Sequence, residues 1–172
     1  MNSFLNTLLG WVGLAPPRIW CRRSVWENGV RELARRSRDE TRESGAYLLG
    51  RTSKGGIHQI LEFVFYDDID PEALSSGIVT IRQTALPRLW EVCRARSYGV
   101  VADVHVHPYG YGQSDSDSAN PVMPRAGHIA FILPNFARNR PSPGGIGMYE
   151  FLGNERWADH SKSGTRFFRF GW

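Results

Sequence analysis

Gly99-Val100-Val101-Ala102-Asp103-Val104-His105-Val106-His107-Pro108 is the stretch that organises the chain. Branching at Cβ makes its valines fit a pleated, half-buried surface, and the run predicts a strand over residues 99–105. Side chains alternate faces along a strand, so Asp103, His105 and His107 fall on one face by parity. Pro108 has no N–H to give a ladder and closes the run. A lone buried histidine is usually a satisfied core residue. Two imidazoles in register, at the end of a strand and just before a loop, can instead chelate one ion.

Outward from this run the pattern alternates between the two periods of regular structure. Residues 108–124 are rich in Gly, Ser, Asp and Pro, and a long irregular segment of that kind is usually functional or disordered. Strands are predicted at 128–133, 146–152 and 166–170, with a Pro/Gly/Arg loop at 134–145. Upstream, residues 85–96 read as a helix with Leu86, Leu89, Trp90 and Cys93 inward, provided Pro87 sits in its first turn. A β-branched strand at 78–81 precedes it, behind an acidic loop at 67–72. Strands at 46–51, ended by Gly50, and 57–65 flank a turn at Lys54-Gly55-Gly56. Ser24 and Glu27 have the spacing of a capping box. Trp26, Val30, Leu33 and Ala34 then make one apolar helical face to about Arg36. This irregular order of strands with two or three helices predicts an α+β domain, or an α/β/α sandwich.

The 172 residues suffice for one domain with a core. The composition, 41% hydrophobic and 22% charged, excludes a disordered or fibrous chain. The net charge of +4 is mild, with local clusters at Arg22–Arg23 and Arg35–Arg36. No aromatic-plus-basic motif accompanies them, so a solvated face is expected and a nucleic-acid partner is not. Two cysteines, Cys21 and Cys93, make no disulfide framework and suit a reducing, cytoplasmic setting. Cys93 reads as a small buried hydrophobe. Phe4, Leu5, Leu8, Leu9 and Val12 recur at helical spacing. Residues 1–23 are therefore taken as an N-terminal amphipathic segment and 24–172 as the domain. No Lys or Arg precedes Arg18, which argues against a secretory signal. Gly10 and Pro16-Pro17 interrupt any membrane span.

Catalytic zinc takes three protein ligands and leaves one position for water. The loop after the histidines offers Asp115 and Asp117 as a third ligand, and Ser114-Asp-Ser-Asp117 sets a hydroxyl three residues before a carboxylate. Hydrolysis at such a centre also needs a carboxylate outside the ligand set to move protons.

His105-x-His107-Pro108 followed by Ser114-x-x-Asp117 resembles the JAMM motif of the JAB/MPN metalloproteases. The upstream Glu43-Ser-Gly-Ala-Tyr-Leu-Leu-Gly50 resembles the family's glutamate-to-glycine spacing. His128-Ile-Ala-Phe-Ile-Leu-Pro-Asn135 and Tyr149-Glu-Phe-Leu-Gly153 resemble later strands of the same family. The resemblance implies a cytidine-deaminase-like mixed sheet flanked by helices, with one zinc ion on His105, His107 and Asp117. It implies Glu43 as acid/base and Ser114 as donor to an oxyanion. It further implies (iso)peptide hydrolysis after the C-terminal glycine of a ubiquitin or ubiquitin-like protein with an extended tail, as in bacterial members. Tyr109, Tyr111 and Phe136 are candidates to line the substrate groove. The acidic loop and 134–145 are candidates to grip a globular tag. Ser114 follows Pro108 by six residues, one fewer than the family pattern, and Gly110 and Gly112 are expected to absorb the difference.

Three other readings remain open. A non-catalytic MPN scaffold usually lacks motif residues, and none is missing here. A zinc deaminase would carry a Pro-Cys-x-x-Cys half that this sequence does not have. A structural zinc site closes with four protein ligands. Asp103 either orients a ligand imidazole from behind or bonds locally. His128 is expected to touch the active-site loop, and His58 and His160 read as strand-surface and loop residues.

Overall fold

The structure is a computed structural model, and it describes residues 16–171. The apolar stripe from Phe4 to Val12 lies outside the described residues. Eight strands form one mixed sheet in the order β7-β6-β5-β4-β2-β3-β1-β8. They are β1 (Ile19–Arg22), β2 (Gly45–Thr52), β3 (His58–Phe65), β4 (Gly99–Val106), β5 (Ile129–Leu133), β6 (Gly147–Gly153), β7 (Arg156–Asp159) and β8 (Phe168–Gly171). The helices are α1 (Arg23–Arg36), α2 (Tyr66–Ile69), α3 (Leu86–Arg96) and α4 (Asp115–Ala119). Pairing is parallel for β1 with β3, β1 with β8 and β4 with β5, and antiparallel elsewhere. The fold is mixed α+β.

The sheet curls around α1. Trp26, Val30 and Leu33 recur at helical spacing and are buried. The Trp26 ring lies 5.8 Å from Phe131 of β5 and 4.8 Å from Phe168 of β8. Phe131 and Phe168 are themselves 5.1 Å apart. Those two strands are five places apart in the sheet, which in a flat sheet would be about 24 Å at the usual strand spacing. The sheet is therefore a half-barrel, with the apolar stripe of α1 in its concavity. Each aromatic pair adds about 0.5–1.5 kcal/mol beyond the area it buries.

The alternation along β2 and β4 divides the core. Ala46, Leu48, Ala102, Val104 and Val106 face α1, in one apolar cluster. Tyr47 and Leu49 face α3, in a second cluster with Leu89 and Cys93, which Val100 joins because the register of β2 against β4 shifts between Leu48 and Leu49. Helices thus cover both faces, and Asp103 and His105 belong by parity to the α3 face.

Several expectations are corrected. The domain begins before residue 24, because Ile19–Arg22 is a strand of the same sheet. That strand runs straight into α1, so Arg22 takes the N-cap position with no side-chain cap and Ser24 lies inside the helix. Residues 78–81 form no strand, since their backbone turns to meet other partners: Thr80 N–H donates to Ala73 O at 2.9 Å. Gly50 does not end β2. It sits at a register shift where the Gln59 carbonyl presses so close that a Cβ would overlap it. Trp90 is 37% exposed rather than inward. Pro87 does occupy the first turn of α3. The strands β1 and β7 lie outside the segments that the sequence pattern predicts as strands. No helix among the described residues is long and apolar enough to cross a membrane.

Candidate metal centre

The site is built on β4 and on the entry to β2. The two strands pair antiparallel with Gly45 opposite His105 and Tyr47 opposite Asp103. The ladder continues one step past β2, where Val106 N–H donates to Ser44 O at 2.9 Å. This register carries Glu43 to the rim beside His107. Gly45 is needed for a steric reason: a Cβ there would strike the Tyr66 ring and the Val104 carbonyl. Without it Tyr66 crosses the strand, and its hydroxyl donates to Asp103 Oδ2 at 2.9 Å.

His105 Nε2, His107 Nε2 and the Asp117 carboxylate converge on one point. The imidazole nitrogens are 2.9 Å apart, and they lie 3.3 and 3.2 Å from Asp117 Oδ1 and Oδ2 respectively. Ligands about 2.0–2.1 Å from one tetrahedral ion stand about 3.3 Å from each other. The three side chains therefore have the chemistry and spacing to hold a metal ion, and theirs is the group of that kind found among the described residues. Asp115, the alternative third ligand, does not belong to it.

Asp117 is held by its own helix end. Ser114 caps α4: its Oγ accepts from Asp117 N–H at 3.1 Å, and Asp117 Oδ2 accepts from Ser114 N–H at 2.8 Å. The Ser114 hydroxyl also donates to Asp117 Oδ2, at 2.8 Å. The Ser-x-x-Asp spacing is thus a capping box, and the carboxylate that completes it also faces the histidines. Trp157 Nε1 of β7 donates to Ser118 O at 3.0 Å and ties the helix to the sheet edge. The short loop needs no left-handed glycine at 110 or 112, both of which lie in open space.

Glu43 and Ser114 line the same pocket of about 250 Å³ as the three candidate ligands. Burial raises the Glu43 carboxyl above its ordinary range, and nearby His105 and His107 offset part of that rise. Burial also penalises an ionised Asp117, but hydrogen bonds from His105 and His107 outweigh it and hold the carboxylate well below its usual range. Burial pulls His105 down, yet Asp117 overrides it and leaves the imidazole raised.

The remaining predicted residues are dispersed. Tyr109 and Tyr111 stand 82% and 39% exposed and do not line the pocket. Phe136 packs on the α1-side core and borders a different surface hollow. The walls of the pocket that holds the candidate ligands come instead from residues the sequence did not single out, chiefly Val79, Ile78, Val122 and the Trp157 ring. The acidic loop is already committed: Asp67 and Asp68 pair with Arg36, and Asp70 pairs with Arg82. Arg35 and Arg36 also bind Glu32, so the basic cluster there is neutralised in place. Asp103 bonds neither a ligand imidazole nor a local group: its partners are Tyr66 and His128 Nε2, the latter at 2.5 Å, both distant in the chain. Both cysteines are free and buried, and burial pushes the Cys21 thiol up to about 12. A thiolate nucleophile is disfavoured there.

No family model matches the sequence. Solved structures share its fold. Protein DSY2949 from Desulfitobacterium hafniense superposes with a TM-score of 0.61 at 14% identity, covering 82% of this chain and 88% of that one. A protein from Salinibacter ruber (strain DSM 13855) superposes with a TM-score of 0.54 at 15% identity, covering 81% and 86% respectively. At such identities the likeness is one of fold.

Proposed function

We propose that this chain is a zinc-dependent (iso)peptidase of the JAB/MPN type, acting in the cytoplasm on the bond after the C-terminal glycine of a ubiquitin or ubiquitin-like protein. The observation that carries the reading is the convergence of His105, His107 and Asp117 beside a fourth, partly buried carboxyl, Glu43, in one pocket. The sheet with helices on both faces is compatible with the deaminase-like fold of that family. Zinc held by the three side chains would supply Lewis acidity and a water acidified to about pKa 7. Glu43 is outside the ligand set and its carboxyl is raised by burial. It would take a proton from the attacking water and return it to the departing amine. Ser114 would donate to the developing oxyanion by turning its hydroxyl away from Asp117 Oδ2.

Metal analysis and cleavage of a ubiquitin-like fusion test this together. Purified protein is expected to hold one zinc per chain. Glu43→Gln should keep that zinc and lose turnover by about 10²–10⁴-fold, the usual contribution of a general acid/base. Protein without stoichiometric zinc, or a Glu43→Gln variant that cleaves normally, would sink the reading. A second reading, a non-catalytic scaffold or interaction module of a conjugation complex, is favoured by the commitment of the Ser114 hydroxyl to Asp117. It predicts bound zinc without cleavage, and no effect of Glu43→Gln.

A further inference from the structure

Asp70 is a fully buried carboxylate, 0% exposed, at the foot of an irregular loop that returns at Arg82. Its oxygens accept from Arg82 N–H at 3.0 Å, from Arg82 Nε at 2.9 and 3.0 Å, and from Glu72 N–H at 3.1 Å. The Arg82 guanidinium closes the same contact through a second nitrogen. Residues 70–82 are thus clasped at their base by one charge-assisted pair. Above the clasp, Ala73 and Leu74 are buried in the α3-side core, and Thr80 N–H donates to Ala73 O. At the tip the Gly77 carbonyl accepts from Glu43 N–H at 2.9 Å. Ile78 and Val79, next along the chain, line the pocket of the candidate ligands.

Glu43 itself lies just before β2 and has no ladder partner of its own. Ser44, its neighbour, is anchored to the end of α1, where Ser44 Oγ donates to Leu33 O at 2.8 Å. Gly77 is the anchor that meets the Glu43 backbone directly, and the loop that carries Gly77 is closed by Asp70 and Arg82. We infer that Asp70 and Arg82 are positioning residues for Glu43: their clasp fixes the loop tip that aims the Glu43 carboxyl at the metal ligands. The inference rests on the proposed peptidase reading. It assigns the pair a role that simple loop stabilisation would not have, since a displacement near 1 Å at a reacting group can cost about 10²-fold in rate.

The test uses the full, zinc-loaded chain with Arg82→Ala, Arg82→Lys and Asp70→Asn. Asp70→Asn keeps the shape of the buried side chain and serves if Arg82→Ala does not fold. Hydrogen exchange should quicken at the Glu43 and Thr80 amides in Arg82→Ala while the Val104 amide in β4 stays protected. With a ubiquitin-like fusion as substrate, kcat should fall about tenfold or more while zinc stays at one per chain. Arg82→Lys should recover part of both effects, because lysine keeps the charge and loses the fork. Unchanged exchange at Glu43, or exchange that rises equally at Val104, would overturn the inference. So would a full kcat in Arg82→Ala. If the wild-type chain cleaves nothing, the peptidase reading fails by itself, and the exchange pattern alone then decides whether the clasp holds Glu43.

Discussion

Two polar clusters lie side by side on the same face of β4, and they are built in opposite ways. In the first, Asp103 meets the Tyr66 hydroxyl through one oxygen and His128 through the other, and both Asp103 and His128 are only 2% exposed. Each carboxylate oxygen has its partner and none is left over. In the second, His105, His107 and Asp117 turn three lone-pair-bearing atoms toward one point at the floor of an open pocket. Both clusters contain histidine and aspartate, and His128 is the most buried of the three imidazoles. What marks the second as a candidate ligand set is therefore a surplus of converging acceptors with access to solvent. A buried network with every group paired is a structural element.

That contrast can be broken in two places, and the Asp70–Arg82 clasp offers a third, smaller effect. The largest effect is expected for His107→Ala. Zinc at a hundred times its Kd stabilises a one-site protein by about 2.7 kcal/mol, which for a chain of this size raises Tm by roughly 5–10 °C. His107→Ala should abolish that zinc-dependent rise in calorimetry, and a rise equal to wild type would show that the histidines are not ligands. Next comes Asp103→Asn, which replaces one of the two acceptor oxygens with an amide donor, so that Tyr66 and His128 are both paired only if His128 changes tautomer. Leaving a buried donor unpaired costs about 1–3 kcal/mol. Denaturant unfolding should register that loss while zinc remains at one per chain. A variant that keeps its stability but loses zinc would move Asp103 from the closed cluster to the open one.

The smallest effect concerns acid. Hydrogen bonds from Arg82 hold the Asp70 carboxyl down to about 2, against an ordinary value near 3.8. A group whose pKa is depressed by folding stabilises the native state above its unfolded pKa, and loses that contribution as pH falls toward the folded value. Stability in urea should thus decline as the pH drops from about 5 to 2, and less steeply in Arg82→Ala. Parallel pH slopes for the two proteins would show that the clasp carries none of this dependence.

The readable parts of the sequence were those where local chemistry and tertiary demand agree. Val100, Val101 and Val104 favour a strand wherever they stand, and parity then places Asp103, His105 and His107 together. Less readable were elements set by a distant partner. Ser24 with Glu27 and Ser114 with Asp117 have one spacing, a hydroxyl followed three residues later by an acid, yet only the second is a capping box. The first fails because β1 delivers the chain to Arg23 already paired with β3 and β8. Residues 78–81 have β-branched side chains but form no strand, since Glu43 pairs with the carbonyl of neighbouring Gly77 and Ala73 pairs with the N–H of Thr80. The aromatic candidates were misplaced for a related reason. Tyr109 and Tyr111 are near the histidines in sequence, but the pocket is walled by Val79 and Trp157, from a loop before β4 and from an edge strand after it.

By itself the sequence determined the mixed α+β character, the strand that carries the histidines, and the residue types able to bind an ion. Period-two alternation and side-chain donor chemistry are local properties, and no partner is needed to express them. Tertiary structure decided that Asp117 rather than Asp115 completes the triangle, that Asp103 belongs to a closed network, and that Glu43 rests on a loop clasped by Asp70 and Arg82. Each of those outcomes depends on how strands far apart in the chain are registered and curled, and on which buried polar groups are thereby left needing a partner.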